Sequence, residues 1–559
     1  MKKIKKIIGI VLCSTLVLSS CSKDFFDVEV RDRVTASELL NLANSSPDAL
    51  FNITNPLLLG VYNRMLDWTP AGAGDQSAFG WMGVMHYSDV MGQDMAFNTV
   101  GGDWFMFDYQ FDYWAQQYIR PFWFWSYFYT IINRANDILN LIPEETVDPR
   151  LKAIMGQAHA LRAISHAYLA QLFQITYSPL RVGAEVGLNT GEPRDMPGVP
   201  IITNKEETTY LGRAPLSQVF AQVESDFKIA IELLDGWQRP DKGFIDKYVA
   251  AGLFARVSLV IGNWADAITY SRMAQEGPFS VYTMPQLTAA GFNNASSQEW
   301  MWGALINSNI VTQWGQTGIP SFFSFISFDA PGYATVNRYR LICSLLFNQM
   351  HPNDVRRSQF NSGQIPFAVV PQHANMKFRN IGTFEADLVY MRVSEMVLIE
   401  AEALHRQGNA GAAATTLGQL ASNRVPGWNQ STVTIDDILF HRRVELWGEG
   451  FTLFDNLRLH RGVDRRGSNH PAGYEFIICP GSRYFLFQIP LRELDENDAI
   501  EHSEQNPSPS DTEEGLRFQA HCFPAKAPLL SAPSSEPRPT ITPRITPGFP
   551  QKVSKERVR

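Results

Sequence analysis

Cysteine is scarce in this sequence, and an excess of basic charge is missing. The 559 residues include only five cysteines and no CxxC pair, which argues against a cysteine-ligated zinc site. Lys and Arg number 48 against 56 Asp and Glu, whereas binding to nucleic acid needs a basic surface. We therefore predict no nucleic-acid partner; the acidic balance fits a neutral ligand, a partner protein or plain solubility. Cys343 and Cys479 lie in apolar surroundings, and the sequence leaves open whether they form a disulfide.

The signatures of common enzyme classes are also lacking. No HExxH, GxSxG or P-loop motif occurs, so the zinc-protease, serine-hydrolase and P-loop classes lack their defining residues. Glu445 and Glu449 share a helix face at a spacing that suits an acid–base pair, but neighbouring arginines favour a structural ion-pair role. His159 and His166 share a face without a third ligand, and residues 495–500 lack the glycine and glutamate of a calcium loop. We predict no enzymatic activity, no cofactor and no metal.

No apolar run is long enough to cross a bilayer as a helix, which takes about 20 residues. The N-terminal run 7–18 follows four lysines and ends in small residues, as an export signal does. Leu18 to Cys21 reads LSSC and resembles a bacterial lipobox, although a plain secretory signal that contains a cysteine is an alternative. The charged residues 22–24 resemble a surface-export tag. We predict a signal peptide over 1–20 and a lipid anchor on Cys21, since several acyl chains hold a protein stably at a membrane.

The middle of the chain has the 3.6-residue periodicity of amphipathic helices. Short turns between successive helices indicate antiparallel pairs, and the segment 255–274, with small residues and Trp264, resembles a tetratricopeptide unit. No strict repeat period occurs, so we predict a mainly α fold of irregular tetratricopeptide-like helix pairs. The predicted helices cover 126–142, 151–175, 217–236, 246–262, 263–277, 388–408, 410–424 and 436–450.

Two long aromatic stretches interrupt the helical pattern. The helix pairs occupy about 118–277 and 388–460, and the interruptions lie at about 68–117 and 278–385. Long loops inside a compact domain are usually functional or disordered, and their aromatic content argues against disorder. We therefore predict that these stretches carry the ligand site. Recurrent prolines over 508–559 predict a disordered tail, to which we assign no function.

Five segments, in the right order along the chain, resemble one protein family. LVYMRVSEMVLIEAEAL (388–404) and HRRVELWGEGFTLFDNLRL (441–459) resemble signature segments of the SusD/RagB family. The other three segments resemble further parts of the family pattern, and they are AHALRAISHAYLAQLF (158–173), GVPIIT (198–203) and FQIPLRELDEND (487–498).

The resemblance carries expectations about fold and function. It implies a SusD-like α-α superhelix over 21–507 that supports a loop-rich lobe. It also implies an outer-membrane lipoprotein, anchored in the membrane lipid through acylated Cys21 and facing the cell exterior. Such a protein captures a nutrient, most often a glycan or oligosaccharide, and delivers it to a SusC-like TonB-dependent transporter. Three alternatives stay open: a surface-anchored glycoside hydrolase, a peptide-capturing RagB-like protein, and a structural helical scaffold.

The chemistry of a glycan indicates which residue types to expect at its site. Apolar C–H patches on sugar rings suit flat Trp and Tyr side chains, and the hydroxyls suit polar ones. Such sites usually lie on loops that a rigid scaffold presents, whereas the aromatic residues 122–128 at the head of a helix are predicted to be core. The ligand-binding candidates are Asp89, Asp94, Trp104, Tyr109 and Trp114 in the first stretch, and Trp300, Trp302, Trp314, Tyr333, Asn337 and Arg338 in the second.

Overall fold

The structure is a computed structural model, and it describes most of the chain between residues 46 and 509. The predicted signal peptide 1–20, the lipidation site Cys21 and all but the start of the tail 508–559 lie outside the described residues. None of the described helices is both long enough and apolar enough to span a membrane. The described residues are 46–67, 76–174, 196–204, 210–315, 322–329, 332–381 and 384–509.

Seventeen helices and six short strands occur in these ranges, which confirms the predicted mainly α fold. The helices are α1 Pro47–Met65, α2 Gly80–Val90, α3 Met106–Tyr109, α4 Ile119–Leu141, α5 Pro149–Phe173, α6 Leu216–Leu233, α7 Lys247–Ile261, α8 Trp264–Gln275, α9 Met284–Ala289, α10 Ser308–Gly315, α11 Phe322–Ile326, α12 Ser344–Gln349, α13 Val393–Arg406, α14 Ala410–Ala421, α15 Ile435–Glu445, α16 Thr452–Arg458 and α17 Leu491–Glu496. The strands are β1 Met95–Phe97, β2 Trp300–Ala304, β3 Arg340–Ile342, β4 Leu388–Arg392, β5 Val463–Asp464 and β6 Ile477–Ile478.

The long helices pack side by side in an irregular array. Helix α1 contacts α4, and α4, α5, α6 and α7 each contact the next helix in the chain. Helix α8 packs in turn against α13, and α13 packs against both α14 and α15. The apolar faces of these helices are thereby covered by neighbours, which gives the array its core.

The helices α7 and α8 form the pair predicted to resemble a tetratricopeptide unit. Gly262 ends α7 with a φ of +75°, a conformation that costs glycine little, and the side chain of Asn263 accepts the N–H of Asp266 at the start of α8. At Gly252 an added Cβ would lie 3.1 Å from the sulfur of Met396 in α13. The small residues of α7 therefore permit the close helix contacts that the sequence predicts.

The six strands form three separate antiparallel pairs: β1 with β3, β2 with β4, and β5 with β6. The sequence predicts a helix over 388–408, and this prediction is wrong at its start, because the first five residues form β4 and α13 begins at Val393. Strand β4 lies beside β2, with Arg392 opposite Trp300. This pairing between distant parts of the chain leaves no mark on local periodicity.

The aromatic residues at the head of α4 are core, as predicted, except Phe122, which is half-buried. The helix begins at Ile119, earlier than the predicted start at 126, and Pro121 lies in its first turn, where its missing N–H breaks no helical hydrogen bond. Trp123 and Tyr127 are among its buried residues. These side chains are therefore part of the scaffold.

The stretch 68–117, predicted to be a ligand loop, contains a helix that lies wholly in the core. Every residue of α2 is buried. The Trp81 ring packs edge-on against Tyr168 of α5, with ring centroids 5.2 Å apart. Among the described residues of the stretch, it is therefore the part that follows α2 that forms surface loops.

Six buried charged side chains connect α13 and α15 to the loop-rich half of the molecule, and we call them the buried ionic cluster. Arg392 donates to Glu299 Oε1 from Nη1 at 2.6 Å and to Glu449 Oε2 from Nε at 2.9 Å. Arg424 Nε donates to Glu445 Oε2 at 2.8 Å. The cluster comprises Arg392, Arg424, Lys377, Glu299, Glu445 and Glu449.

The cluster has three cations and three carboxylates, and its cations favour the ionised form of two of those carboxylates. Burial by itself raises the pKa of Glu445, but Arg424 and Arg392 outweigh burial and hold that pKa well below its usual range. The same competition, with Arg392 and Lys377 as the cations, lowers the pKa of Glu449. The ion-pair interpretation of Glu445 and Glu449 is therefore confirmed.

Cys343 is a free and buried thiol. The disulfide with Cys479 that the sequence leaves open is therefore not formed. Burial raises the pKa of the Cys343 thiol, so the side chain behaves as a small apolar core group.

Acidification is expected to destabilise the protein through His166, which is buried in α5. Its Nδ1 donates to the carbonyl of Arg162 and its Nε2 accepts the N–H of Ile202, so the neutral ring satisfies both nitrogens. Burial lowers the pKa of His166 to about 4, against about 6.5 in an unfolded chain. Between these values the unfolded state binds more protons. The free energy of unfolding should fall by about 3 kcal/mol from pH 7 to pH 4 through this group.

Urea unfolding of the wild type and the variant His166→Gln across this pH range checks the expectation. The glutamine does not titrate, so the variant should lose less stability on acidification than the wild type. Equal pH dependence in the two proteins would contradict the assignment to His166.

Candidate ligand-binding surface

Two loops, 98–107 and 332–339, meet at the surface of the molecule, and we call them the paired loops. The first follows β1 and the second precedes β3. In the antiparallel pairing of these strands Phe97 lies opposite Arg340. Because paired strands bring their ends together, residues of the two loops contact each other although they are about 240 positions apart in sequence.

Asn98 fastens one loop to the other at their base. Its Nδ2 donates to the backbone carbonyl of Asn337 at 2.9 Å, and its backbone N–H donates to the carbonyl of Tyr339 at 3.3 Å. Asn337 has a φ of +57°, a left-handed conformation that asparagine tolerates better than most residues. The turn that ends in Asn337 is therefore held by contacts from the other loop.

A second set of contacts holds the tips of the paired loops. Arg338 donates from Nε and Nη2 to the carbonyl of Gly101 at 3.1 and 2.8 Å. Gly102 has a φ of +75°, and a Cβ there would lie 2.6 Å from Arg338 Nη2, so this position requires glycine. The backbone N–H of Trp104 donates to the hydroxyl of Tyr333 at 3.1 Å. The loops are thus fixed against each other at the backbone of Trp104 and at residues before it.

Below the paired loops lies a buried floor centred on Arg340. Its guanidinium donates to Asp103 at 2.7 Å and to His86 Nε2 at 2.9 Å. It also lies over the ring of Phe97 at 3.8 Å and that of Tyr333 at 5.3 Å. Burial, together with the charge of Arg340, keeps the pKa of His86 well below its usual range. The floor is therefore a neutral arrangement of one ion pair, two rings and an uncharged imidazole.

Above this floor the paired loops expose flat apolar surface beside polar groups. Trp104 is 48% exposed, although its backbone is held by Tyr333. Phe107 is also exposed and stacks on Tyr113, with centroids 4.6 Å apart. Asn337 is exposed at the end of the other loop. A ring that a neighbour holds before a ligand arrives, as Tyr113 holds Phe107, loses little conformational entropy on binding.

Four predicted site residues come together at the paired loops, and they derive from both predicted sets. Trp104 belongs to the first set, and Tyr333, Asn337 and Arg338 belong to the second. Tyr333 is itself buried, so it supports Trp104 from below rather than offering its ring to a ligand. Trp104, Asn337 and Arg338 remain as exposed or partly exposed candidates.

The structure corrects the prediction for the two aspartates, whose side chains are buried. Asp89 accepts the N–H of Gly450 and the hydroxyl of Thr452, both at 2.8 Å, and burial raises its pKa to about 7. Asp94 accepts from Arg443 Nε at 2.8 Å. Both carboxylates connect the end of α2 to the segment around α15 and α16, so their role is structural.

Three aromatic candidates are likewise corrected by burial. The hydroxyl of Tyr109 contacts Nδ1 of His470. Trp300 and Trp302 lie in β2, whose residues are all buried, and Trp302 Nε1 donates to the carbonyl of Gly243 at 3.1 Å. The polar neighbours of Trp300 in the sequence indicate exposure, but the pairing of β2 with β4 places the strand in the core.

The remaining two candidates lie away from the contacts described above. Trp114 is half-buried and packs edge-on against Tyr484, with centroids 6.4 Å apart. Trp314 falls in α10, and its side chain lies outside the described residues. The part each plays in ligand binding stays a prediction.

Sequence reasoning did not single out Asn98 and Phe107. A usable signal precedes Trp104: the segment NTVGGDW, residues 98–104, combines an asparagine with two adjacent glycines. Such a segment favours a tight turn. No comparable local signal marks the contact of Asn98 with Asn337, because its partner lies in a distant part of the chain.

In the described residues, a scaffold of helix pairs presents two fixed loops with exposed aromatic side chains. The protein is therefore of the α-α superhelical class, with its candidate ligand site on loops. Residues 68–259 match a family model described as starch-binding associating with outer membrane, and residues 346–508 match the model of the SusD family. The two matches together cover more than half of the chain. The chain belongs to the SusD/RagB family. Among curated proteins, none matches the chain.

Solved structures of related proteins share the fold. A SusD-like carbohydrate binding protein from Bacteroides vulgatus superposes with a TM-score of 0.68 at 23% identity, over 82% of this chain and 98% of that one. The surface glycan-binding protein A from Bacteroides uniformis gives 0.59 at 18%, over 81% and 99%. A laminarin binding SusD-like protein also gives 0.59 at 18%, over 82% and 99%. At these identities the likeness establishes the fold.

Proposed function

We propose that this protein is a cell-surface lipoprotein that captures a glycan at the paired loops. The observation that carries the proposal is the exposed indole of Trp104. The backbone N–H of Trp104 donates to the hydroxyl of Tyr333, and the residue lies on the same loop pair as Asn337 and Arg338. A sugar ring stacks its apolar face on such an indole while amide and guanidinium groups meet its hydroxyls. The neutral floor under the loops favours an uncharged ligand over an ionic one.

The names of the related proteins support a glycan as the ligand class. One solved relative is described as binding laminarin and another as a surface glycan-binding protein. One matching family model is described as starch-binding. A neutral polysaccharide of glucose units is therefore the first ligand to test.

The proposal is for binding without catalysis. A glycosidase would need two carboxylates that converge in an open cleft. The pair that the sequence offers for this role, Glu445 and Glu449, is buried and engaged with Arg392 and its neighbours. No observation of the described residues favours the hydrolase alternative, and the peptide alternative becomes an outcome of the test.

We further propose that the protein is anchored in the outer membrane through acylated Cys21, faces the cell exterior, and hands its ligand to a SusC-like TonB-dependent transporter. The LSSC segment supports the anchor, and the description of the matching family as associating with the outer membrane supports the location. A surface tether keeps the captured glycan near the transporter, which raises its effective concentration there.

Native gel electrophoresis of the full-length protein with laminarin, starch or xylan cast into the gel tests ligand capture. At least one neutral polysaccharide should retard the protein and should leave the gel unhydrolysed. Retardation by none of them, with binding to a casein digest instead, would replace the glycan with a peptide. Release of reducing ends from laminarin would overturn the non-enzymatic assignment.

Solubilisation of native membranes in mild detergent tests the delivery step. The lipoprotein should copurify with a larger β-barrel protein of the TonB-dependent class. Recovery of the lipoprotein alone would count against delivery to such a transporter, and would leave the capture result as it stands.

A further inference from the structure

A concave site lies apart from the paired loops. It is a cleft of about 590 Å³ between α4, residues 200–204 and 210–211, and α17 with the residue just after it. Clefts of a few hundred cubic ångströms are of the size that holds small ligands. None of the elements that wall this cleft carries a residue of the paired loops, so the two sites are separate.

One wall of the cleft is aromatic. Phe122, Trp125 and Tyr129 are spaced three and four residues apart along α4, so they follow one another on a single helix face. The facing segment contributes Tyr210, which is 59% exposed and is the most accessible of these rings. The Trp125 and Tyr129 rings pack together with centroids 4.9 Å apart, which holds this wall in place.

The other wall presents a carboxylate that neutral donors hold in position. Glu493 Oε2 accepts from Trp125 Nε1 at 3.1 Å, and its Oε1 accepts from Asn497 Nδ2 at 2.9 Å. An ionised carboxylate has about four acceptor positions, so two of them remain for a ligand. The exposed amide of Asn133 adds donors on the α4 side.

Arg492, the cation of the cleft lining, is paired with Glu496, whereas Glu493 is held by neutral donors. Arg492 Nε donates to Glu496 at 3.0 Å, and its guanidinium lies over Phe122 at 5.6 Å. A cation therefore already occupies the face of Phe122, which argues against the cleft as an aromatic cage for an ammonium group. Flat rings combined with fixed hydroxyl acceptors and an amide match the two faces of a sugar.

We infer that this cleft is a second glycan-binding site, which takes a short neutral oligosaccharide of the size of a trisaccharide. The choice of a glycan over another polyol rests on the proposed function. The cleft itself rests on the contacts of Tyr210, Trp125 and Glu493, and not on Trp104. A chain with two separate sites engages a long polysaccharide at two points, so its retention exceeds that of either site alone.

Titration calorimetry of the full-length protein with maltotriose, laminaritriose and cellotriose tests the second site. The measurement is made on the wild type and on the variant Trp104→Ala, the latter with and without Tyr210→Ala. Tyr210 is exposed, so its truncation should leave folding intact, which thermal unfolding checks. At least one trisaccharide should bind the Trp104→Ala protein, and adding Tyr210→Ala should weaken that binding about tenfold or more. Val147→Ala, an exposed apolar position at the turn after α4, is the matched control and should change nothing.

The outcomes separate the two proposals. Loss of binding on Tyr210→Ala with no effect of Trp104→Ala supports the cleft and overturns the paired loops as the glycan site. Failure of all three trisaccharides to bind Trp104→Ala overturns the cleft, as does unchanged affinity after Tyr210→Ala. A casein digest that binds the cleft when no sugar does overturns the glycan assignment.

Discussion

Replacing Arg392 with methionine is expected to lower the free energy of unfolding by about 3–5 kcal/mol, or to prevent folding. Arg392 is fully buried and contacts three carboxylates, those of Glu299, Glu445 and Glu449. Removing its charge leaves the buried ionic cluster with an excess of negative charge. Buried carboxylates without a partner are strongly destabilised, because the protein interior solvates them far less well than water does.

The position of the cluster explains why the effect should be global. Arg392 ends β4, Glu445 ends α15, and Glu299 precedes β2. The cluster therefore connects the helix array to the loop-rich half. Loss of the Arg392 contacts should destabilise both parts of the molecule.

Chemical unfolding followed by circular dichroism measures the effect. The matched control is Arg461→Met, because Arg461 is partly exposed and pairs at the surface with Asp436, which is largely exposed. Such surface pairs contribute about 0–1 kcal/mol. Losses of similar size in the two variants would contradict the account of the cluster.

Replacing Trp104 with alanine is expected to weaken polysaccharide binding about tenfold or more, with little change in stability. The indole is about half exposed, so its loss removes a stacking surface without opening a cavity in the core. The hydrogen bond to Tyr333 comes from the backbone of Trp104 and should survive the substitution.

Affinity electrophoresis on the polysaccharide that retards the wild type measures the change. Trp104→Phe keeps a flat ring and should retain part of the affinity, whereas Leu59→Ala removes a similarly exposed side chain from α1 and should leave binding intact. Wild-type retardation of Trp104→Ala would exclude the indole from the site.

The local features of the fold could be read from the sequence. The helices α5, α6, α7 and α8 agree with the predicted segments. In α6 and α8 amphipathic periodicity reports burial on one face, whereas α5 and α7 are buried on almost all sides, as helices that are apolar all round are. The ion-pair role of Glu445 and Glu449 was also predictable, but their partners were not. Arg392, Arg424 and Lys377 come from other segments, whereas the neighbouring arginines 442 and 443 pair with aspartates.

The candidate site was predictable only in part. Trp104, Asn337 and Arg338 follow turn-rich sequence and lie at the surface, as expected. Trp300 and Trp302 have similar neighbours in the sequence and yet are core. The difference arises because β2 pairs with β4, and local composition does not report which distant segment covers a strand.

By itself, the sequence determined the helical scaffold, the family and the residue types that a glycan site needs. Only the tertiary structure decided that Trp104 and Asn337 belong to one surface, through the pairing of β1 with β3 and the contact of Asn98 with Asn337. The physical reason is that helix periodicity depends on residues only a few positions apart in the sequence. The choice of strand partner depends instead on contacts between distant residues, which form after the chain has folded back on itself.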